Sequence, residues 1–187
     1  MSATLIFALA TAGWNVTNAT DDCTYFKGSS EGDITPIRVE CDWSDVDASK
    51  MHRLLARPGS HDGVFGGLAA ADVVQQEGAL TRVYQRFAAR GITDREVVVD
   101  YSTTSVDGGK KYRWRKSPDQ SALHGDAIEV PDTSGSWQVT EKDGSVQLVY
   151  ELRMKLGGMV PSFAVNWAQT SAIQDTIEEL KSKVLAD

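Results

Sequence analysis

From 146 to 154 the chain alternates. Val146, Leu148, Tyr150, Leu152 and Met154 fall on one side, while Gln147, Glu151, Arg153 and Lys155 fall on the other. A period of two belongs to an extended strand with one buried face, because the apolar residues of an amphipathic helix recur every three or four positions. Asp143-Gly144 just ahead supplies a tight turn back to a second strand at 136–140. Residues 36–43 repeat the pattern, with Ile37, Val39, Cys41 and Trp43 on one face and Arg38, Glu40 and Asp42 on the other. A strand at 23–27 precedes it across a turn at 28–33, which sets Cys23 and Cys41 on neighbouring strands. Further strand-like runs lie at 71–76, 80–88, 96–103 and 110–116. In the last of these Tyr112 and Trp114 share a face, and Lys111, Arg113 and Arg115 take the other.

Two segments break the period. Residues 44–55 read as a short helix, with early acids, late bases and helical apolar spacing. After Gly157-Gly158 and Pro161, the residues Phe163, Trp167, Ile173, Ile177, Leu180 and Val184 fall at helical spacing. Some 25 residues of helix would span roughly 37 Å, enough to cross a whole sheet. The expected architecture is therefore α+β: a long antiparallel sheet with one apolar face and a single closing helix to cover it. To bury that face the sheet must curl around the helix, a curved sheet gripping a C-terminal helix. Such curling leaves room for a hydrophobic cavity, the ordinary form of a small-molecule site.

Composition narrows the function. At 187 residues the chain suits one domain, and 41% hydrophobic content supports a real core. A net charge of −7 opposes binding to phosphate backbones, so no nucleic-acid partner is expected. Three scattered histidines and two cysteines give no ligand spacing for a metal, and neither metal nor cofactor is expected. Cys23 and Cys41 read either as small buried hydrophobes or as a disulfide between adjacent strands. Ser60-His61-Asp62 reads as a surface loop. Residues 1–13 form an apolar segment that reads equally as an export-signal remnant or as a short helix packed on the domain, so a periplasmic or secreted location and a cytoplasmic one are both open.

Ile92-Thr93-Asp94-Arg95-Glu96, leading into Val97-Val98-Val99, resembles the Ser-Asp-Arg-Asp segment that opens a strand in START domains. These are the lipid-transfer family related to steroidogenic acute regulatory protein, within the helix-grip SRPBCC superfamily. The tail resembles the family more closely. Gly135-Ser136-Trp137, Asp143-Gly144, Val149-Tyr150, Gly157-Gly158-Met159-Val160-Pro161 and Asn166 follow its order of tryptophan strand, hairpin, strand, Gly-Gly-x-Ile-Pro turn and closing helix. The resemblance covers about residues 14–185, the START-like domain being 14–187, by strand and helix order. Glu96 stands where the family has Asp and Val160 where it has Ile. The stretch 61–72 departs from the helical, aromatic text found there, leaving the pocket mouth outside the resemblance.

The resemblance implies a module that encloses one hydrophobic molecule, such as a sterol, phospholipid or fatty acyl compound, without covalent change; separately, the bases among the aromatics of 110–116 suggest a transient contact with anionic membrane surfaces. Strand parity proposes Tyr112, Trp114, Trp137, Leu148, Tyr150 and Leu152 as lining residues, with Phe163 and Trp167 from the helix and Tyr101 beside them. Arg82, Tyr84 and Arg86 share one face of the 80–88 strand. Turned inward, with Arg82 and Tyr84 among the ligand-binding residues, the arginines would need a polar ligand head or a carboxylate partner, which Asp100 and Glu96 on the next strand could supply; turned outward, all three would simply face solvent. Asp94 and Arg95 read as capping and ion-pairing residues at a strand start. With no nucleophile elbow present, no catalytic residue is assigned. The alternative is an enzyme on the same fold, of the polyketide cyclase and aromatase type, with Arg82, Tyr84, Arg86, Tyr101 and Tyr150 as the groups able to move protons.

Overall fold

Antiparallel pairing, strand after strand, organises the chain. The computed structural model describes residues 13–88, 91–161, 165 and 168–186. Phe163, Asn166, Trp167 and nearly all of the apolar N-terminal segment lie outside the described residues. Ten strands form one sheet: β1 (Trp14–Ala19), β2 (Cys23–Gly28), β3 (Ile37–Trp43), β4 (Leu68–Glu77), β5 (Leu80–Phe87), β6 (Arg95–Val106), β7 (Gly109–Lys116), β8 (Ile128–Glu129), β9 (Asp132–Lys142) and β10 (Ser145–Lys155). Their order is β1-β2-β3-β10-β9-β7-β6-β5-β4, with the short β8 joining β6 in parallel. The sheet is thus nearly sequential, except that β10 inserts beside β3 and brings the two halves together. Helix α1 (Ala48–Leu55) follows β3, and α2 (Ser171–Ala186) closes the protein.

Local chemistry accounts for the elements. Asp47 caps α1, accepting from the Ser49 amide at 2.7 Å and the Lys50 amide at 3.2 Å, so the helix starts three residues after the acidic stretch begins. Its buried side is Ala48, Met51 and Leu55. The β9–β10 hairpin turns at Asp143 and Gly144, both with positive φ (52° and 84°), the geometry that a two-residue turn between twisted strands demands. β1 has the sequence WNVTNA and is mostly exposed; as a polar edge strand it carries no alternation to read.

The inward residues of β2, β3, β6, β9 and β10 join Ile173, Ile177, Leu180 and Val184 of α2 in one core, which also takes in Met51 and Leu55 of α1. Lys181 ties α2 to the sheet's other half. Its ammonium reaches Asp22 at 2.8 Å and Asp45 at 3.3 Å, and lies 5.5 Å from the centre of the buried Trp43 ring. Cys23 and Cys41 oppose one another across β2 and β3 and are joined in a disulfide. Of the two readings of these cysteines the bond is the observed one; closing a loop of this length constrains the unfolded chain by about 3 kcal/mol.

Candidate functional site

Between the inner face of the sheet and α2 lies a partly open space of about 140 Å³. Register builds its wall. Tyr101, Trp114, Gly135 and Leu152 stand in one row across β6, β7, β9 and β10, and Trp137 and Tyr150 face each other in the next row. The Trp137 and Tyr150 rings stack at 4.1 Å, and Trp114 adjoins both, at 6.4 Å from Trp137 and 6.1 Å from Tyr150. Gly135 makes this possible: a Cβ there would lie 2.2 Å from the Trp114 ring, so only glycine lets the indole lie flat across β9.

The segment 61–67, between the 3₁₀ turn (Pro58–Ser60) and β4, lines one side of the space. Phe65 stacks on Trp137 at 5.2 Å, and the Gly66 amide donates to the Thr176 hydroxyl of α2 at 3.0 Å. A Cβ on Gly66 would come within 2.8 Å of the Ala172 carbonyl, so the loop seats against the helix only without a side chain. His61 is buried rather than on the surface as its loop position suggests. Its Nε2 lies 3.2 Å from the Leu54 carbonyl, and its ring packs edge-on against Phe65 at 4.6 Å. Burial pushes its pKa down to about 4, so the ring is neutral at pH 7. Tyr101 donates its hydroxyl to the Leu55 carbonyl at 2.9 Å, and burial raises the pKa of both Tyr101 and Tyr150.

Of the residues proposed from sequence, Tyr101, Trp114, Trp137, Tyr150 and Leu152 border this space. Tyr112 and Leu148 point inward but lie in the packed core away from it. Tyr112 is held through its hydroxyl by His52, at 2.9 Å from Nδ1 and 3.2 Å from the carbonyl, and desolvation pushes its pKa up to about 12. Arg82 and Tyr84 sit on the opposite face, outward as one reading of their strand has it, but they are not simply exposed: Tyr84 is buried and both are partnered. Arg82 pairs with Asp100 at 2.9 Å and Asp119 at 3.0 Å, and Tyr84 donates to Glu96 at 3.1 Å while stacking on His124 at 4.2 Å. Arg86 pairs there with Asp94 at 2.8 Å and Asp126 at 3.0 Å.

Sequence reasoning passed over His61, Phe65, Gln85, Phe87, Arg95, Thr133 and Thr176, all of which border the space. Gln85 and Phe87 had a signal, since they are the other parity of the strand that holds Arg82, Tyr84 and Arg86. Arg95 had one too, at the same parity as Val97, Val99 and Tyr101. His61 and Phe65 had none, because an irregular loop has no period.

Glu96, His124 and Asp126 bring their ligating atoms within 4.8 Å of one another on the outer face. Glu96 already accepts from Tyr84 and from the His124 and Gly125 amides, at 3.0 and 2.8 Å, and Asp126 is held by Arg86. These donors make the cluster a clasp for the loop over β5 and β6.

No family model matches the sequence. A curated, uncharacterized protein of Pseudomonas aeruginosa is 27% identical over 117 residues, which is 61% of this chain and 58% of that protein's length. Solved structures say more. A STAR-related lipid transfer protein from Xanthomonas axonopodis superposes with a TM-score of 0.80 at 19% identity, covering 92% of this chain and 98% of that one. The chain has the START-domain fold. Human StAR-related lipid transfer protein 5 matches with a TM-score of 0.79 at 15% identity, over 93% of this chain and 87% of that one. A START superfamily protein from Mycobacterium smegmatis matches with a TM-score of 0.56 at 7% identity, over 80% and 96%. In START terms the β-sheet is the grip and α2 the gripped helix, and the aromatic wall described above lies between them.

Proposed function

We propose that this chain is a carrier that encloses one hydrophobic molecule between its sheet and α2 and releases it chemically unchanged. The observation that carries the reading is a largely apolar space between sheet and helix, walled by Trp114, Trp137, Tyr150, Leu152 and Phe65. Apolar surface moved into such a wall gains about 25 cal/mol per Å², less the cost of ordering. At about 140 Å³ the space is below the ~300–1,000 Å³ of ordinary ligand sites, so loading requires the wall to move. The segment 61–67 is the irregular part of the wall; His61 on the Leu54 carbonyl, the Gly66 hydrogen bond to Thr176, the Ala88 amide on the Gly67 carbonyl and the Phe65 stack hold it to the rest and would have to release for loading. Met159, 97% exposed beyond the end of β10, offers an apolar tip for transient membrane contact.

The enzyme reading has less to work with. Of its five candidate groups, Arg82, Tyr84 and Arg86 are engaged on the outer face, and no carboxylate borders the space among the described residues. Native mass spectrometry of the purified protein, followed by organic extraction, tests the carrier. One bound lipid per chain, recovered intact, is expected; an empty protein that takes up no lipid from vesicles, or turnover of an aromatic polyketide analogue, would overturn it.

A further inference from the structure

The arginines of β5 and β6 divide sharply. Arg82 and Arg86, on the outer face, are each held by two carboxylates. Arg95 faces inward with Phe87 as its cross-strand partner, is only 3% exposed, and borders the space between sheet and α2. Among the described residues no carboxylate lies within 4 Å of its guanidinium. Its bonds go to carbonyl oxygens instead: Thr93 from Nη1, Leu156 from Nε at 3.4 Å and Gly157 from Nη2 at 3.5 Å. The sequence suggested an ion-paired strand-start residue; Asp94 is paired and Arg95 is not.

Carbonyl dipoles satisfy hydrogen bonds but do not cancel a full charge, and a guanidinium keeps its charge at any pH a protein meets. Among the described residues three of the five N–H groups are used, leaving one on each terminal nitrogen, and a carboxylate bridges a fork of that kind with two parallel bonds. Gln85 and Thr133 border the space as well and add polar side chains, while the aromatic wall is apolar. The site therefore has a cationic polar group and a greasy wall. One acyl chain asks the wall to move less than two would.

Resting on the carrier reading, we infer that Arg95 receives the headgroup of the ligand, and that the ligand is a single-chain amphiphile with a carboxylate head. Calorimetric titration of the delipidated full chain at pH 8 with palmitate, hexadecanol and hexadecyl phosphate, each below its aggregation threshold, separates the outcomes. Palmitate binds at least tenfold more tightly than hexadecanol, and Arg95→Gln brings palmitate down to the hexadecanol level while hexadecanol affinity stays within twofold of wild type. Equal binding of acid and alcohol by the wild type, or a preference that survives in Arg95→Gln, overturns the role of Arg95 and leaves the carrier standing. Tighter binding of the alkyl phosphate than of palmitate overturns the carboxylate assignment. Uptake of none of the three overturns the carrier and this inference together. Should Arg95→Gln fail to fold, carboxyl-labelled palmitate on the wild type decides by NMR. The bound carboxylate titrates below the free acid if it lies on Arg95; titration at or above the free value contradicts the contact.

Discussion

Strands β5 and β6 present two faces made by the same backbone, and the faces treat polarity in opposite ways. Outward, Arg82, Tyr84 and Arg86 meet Asp100, Glu96 and Asp94, and the loop 117–127 adds Asp119 and Asp126 to complete the pairs. Inward, Val83, Val97 and Val99 are fully buried, while Gln85 and Arg95 at that parity border the space, Arg95 with carbonyl partners but no carboxylate within 4 Å among the described residues. A polar group already satisfied by the protein contributes to stability; one left facing a cavity is available to a ligand. Which face a residue occupies thus decides whether altering it should change folding or binding.

The largest effect expected from breaking this contrast is at the inner wall. Trp137→Ala removes a ring that touches Tyr150, Phe65 and Trp114, and should cost about 3–5 kcal/mol in urea unfolding, with ligand affinity falling as well. Ala172→Phe sharpens the contrast by filling the space from α2. Ligand affinity should drop about a hundredfold, near 3 kcal/mol, while the unfolding midpoint holds. Unchanged affinity would mean that the ligand sits elsewhere.

His61 tests the inner face through pH. Its folded pKa, about 4, is below its unfolded value near 6.5, so in that window the unfolded chain binds the extra proton. The resulting stability is present in full above pH 6.5 and is lost as pH falls toward 4, amounting to about 3 kcal/mol. His61→Asn should therefore show a pH slope between 6.5 and 4 shallower than wild type by that amount in denaturant titrations; equal slopes would place the imidazole in water. On the outer face the smallest effect is expected. Tyr84→Phe withdraws one of three donors from Glu96 and should cost about 1 kcal/mol in stability with ligand affinity unaltered.

Parts of this contrast were legible in the amino-acid order. The alternation of Val146 to Met154 marks the inward row of β10, and the spacing of Ile173, Ile177, Leu180 and Val184 marks the buried side of α2. The turn at Asp143-Gly144 orders β9 and β10. Periodicity could not show that Gly135 leaves room for Trp114, because that depends on the register of β7 against β9. Nor could it separate Tyr112 and Leu148, which are packed solid, from Trp137 and Tyr150, which border open space, since all four share one parity rule. Arg82 and Tyr84 drew attention because charge in a strand is conspicuous, yet their pairing partners lie on β6 and in a loop. His61 and Phe65 owe their burial to the way an irregular segment folds back onto α2.

The central claim is that a hydrophobic molecule lies against the aromatic wall between the sheet and α2. Bromine quenches indole fluorescence only at contact, so titration with 9,10-dibromostearic acid reads this position directly. Saturable quenching at one ligand per chain, lost when Trp114 and Trp137 are both replaced by Phe, is the result expected. Quenching that never saturates, or that persists in full in the doubly substituted protein, would contradict the account.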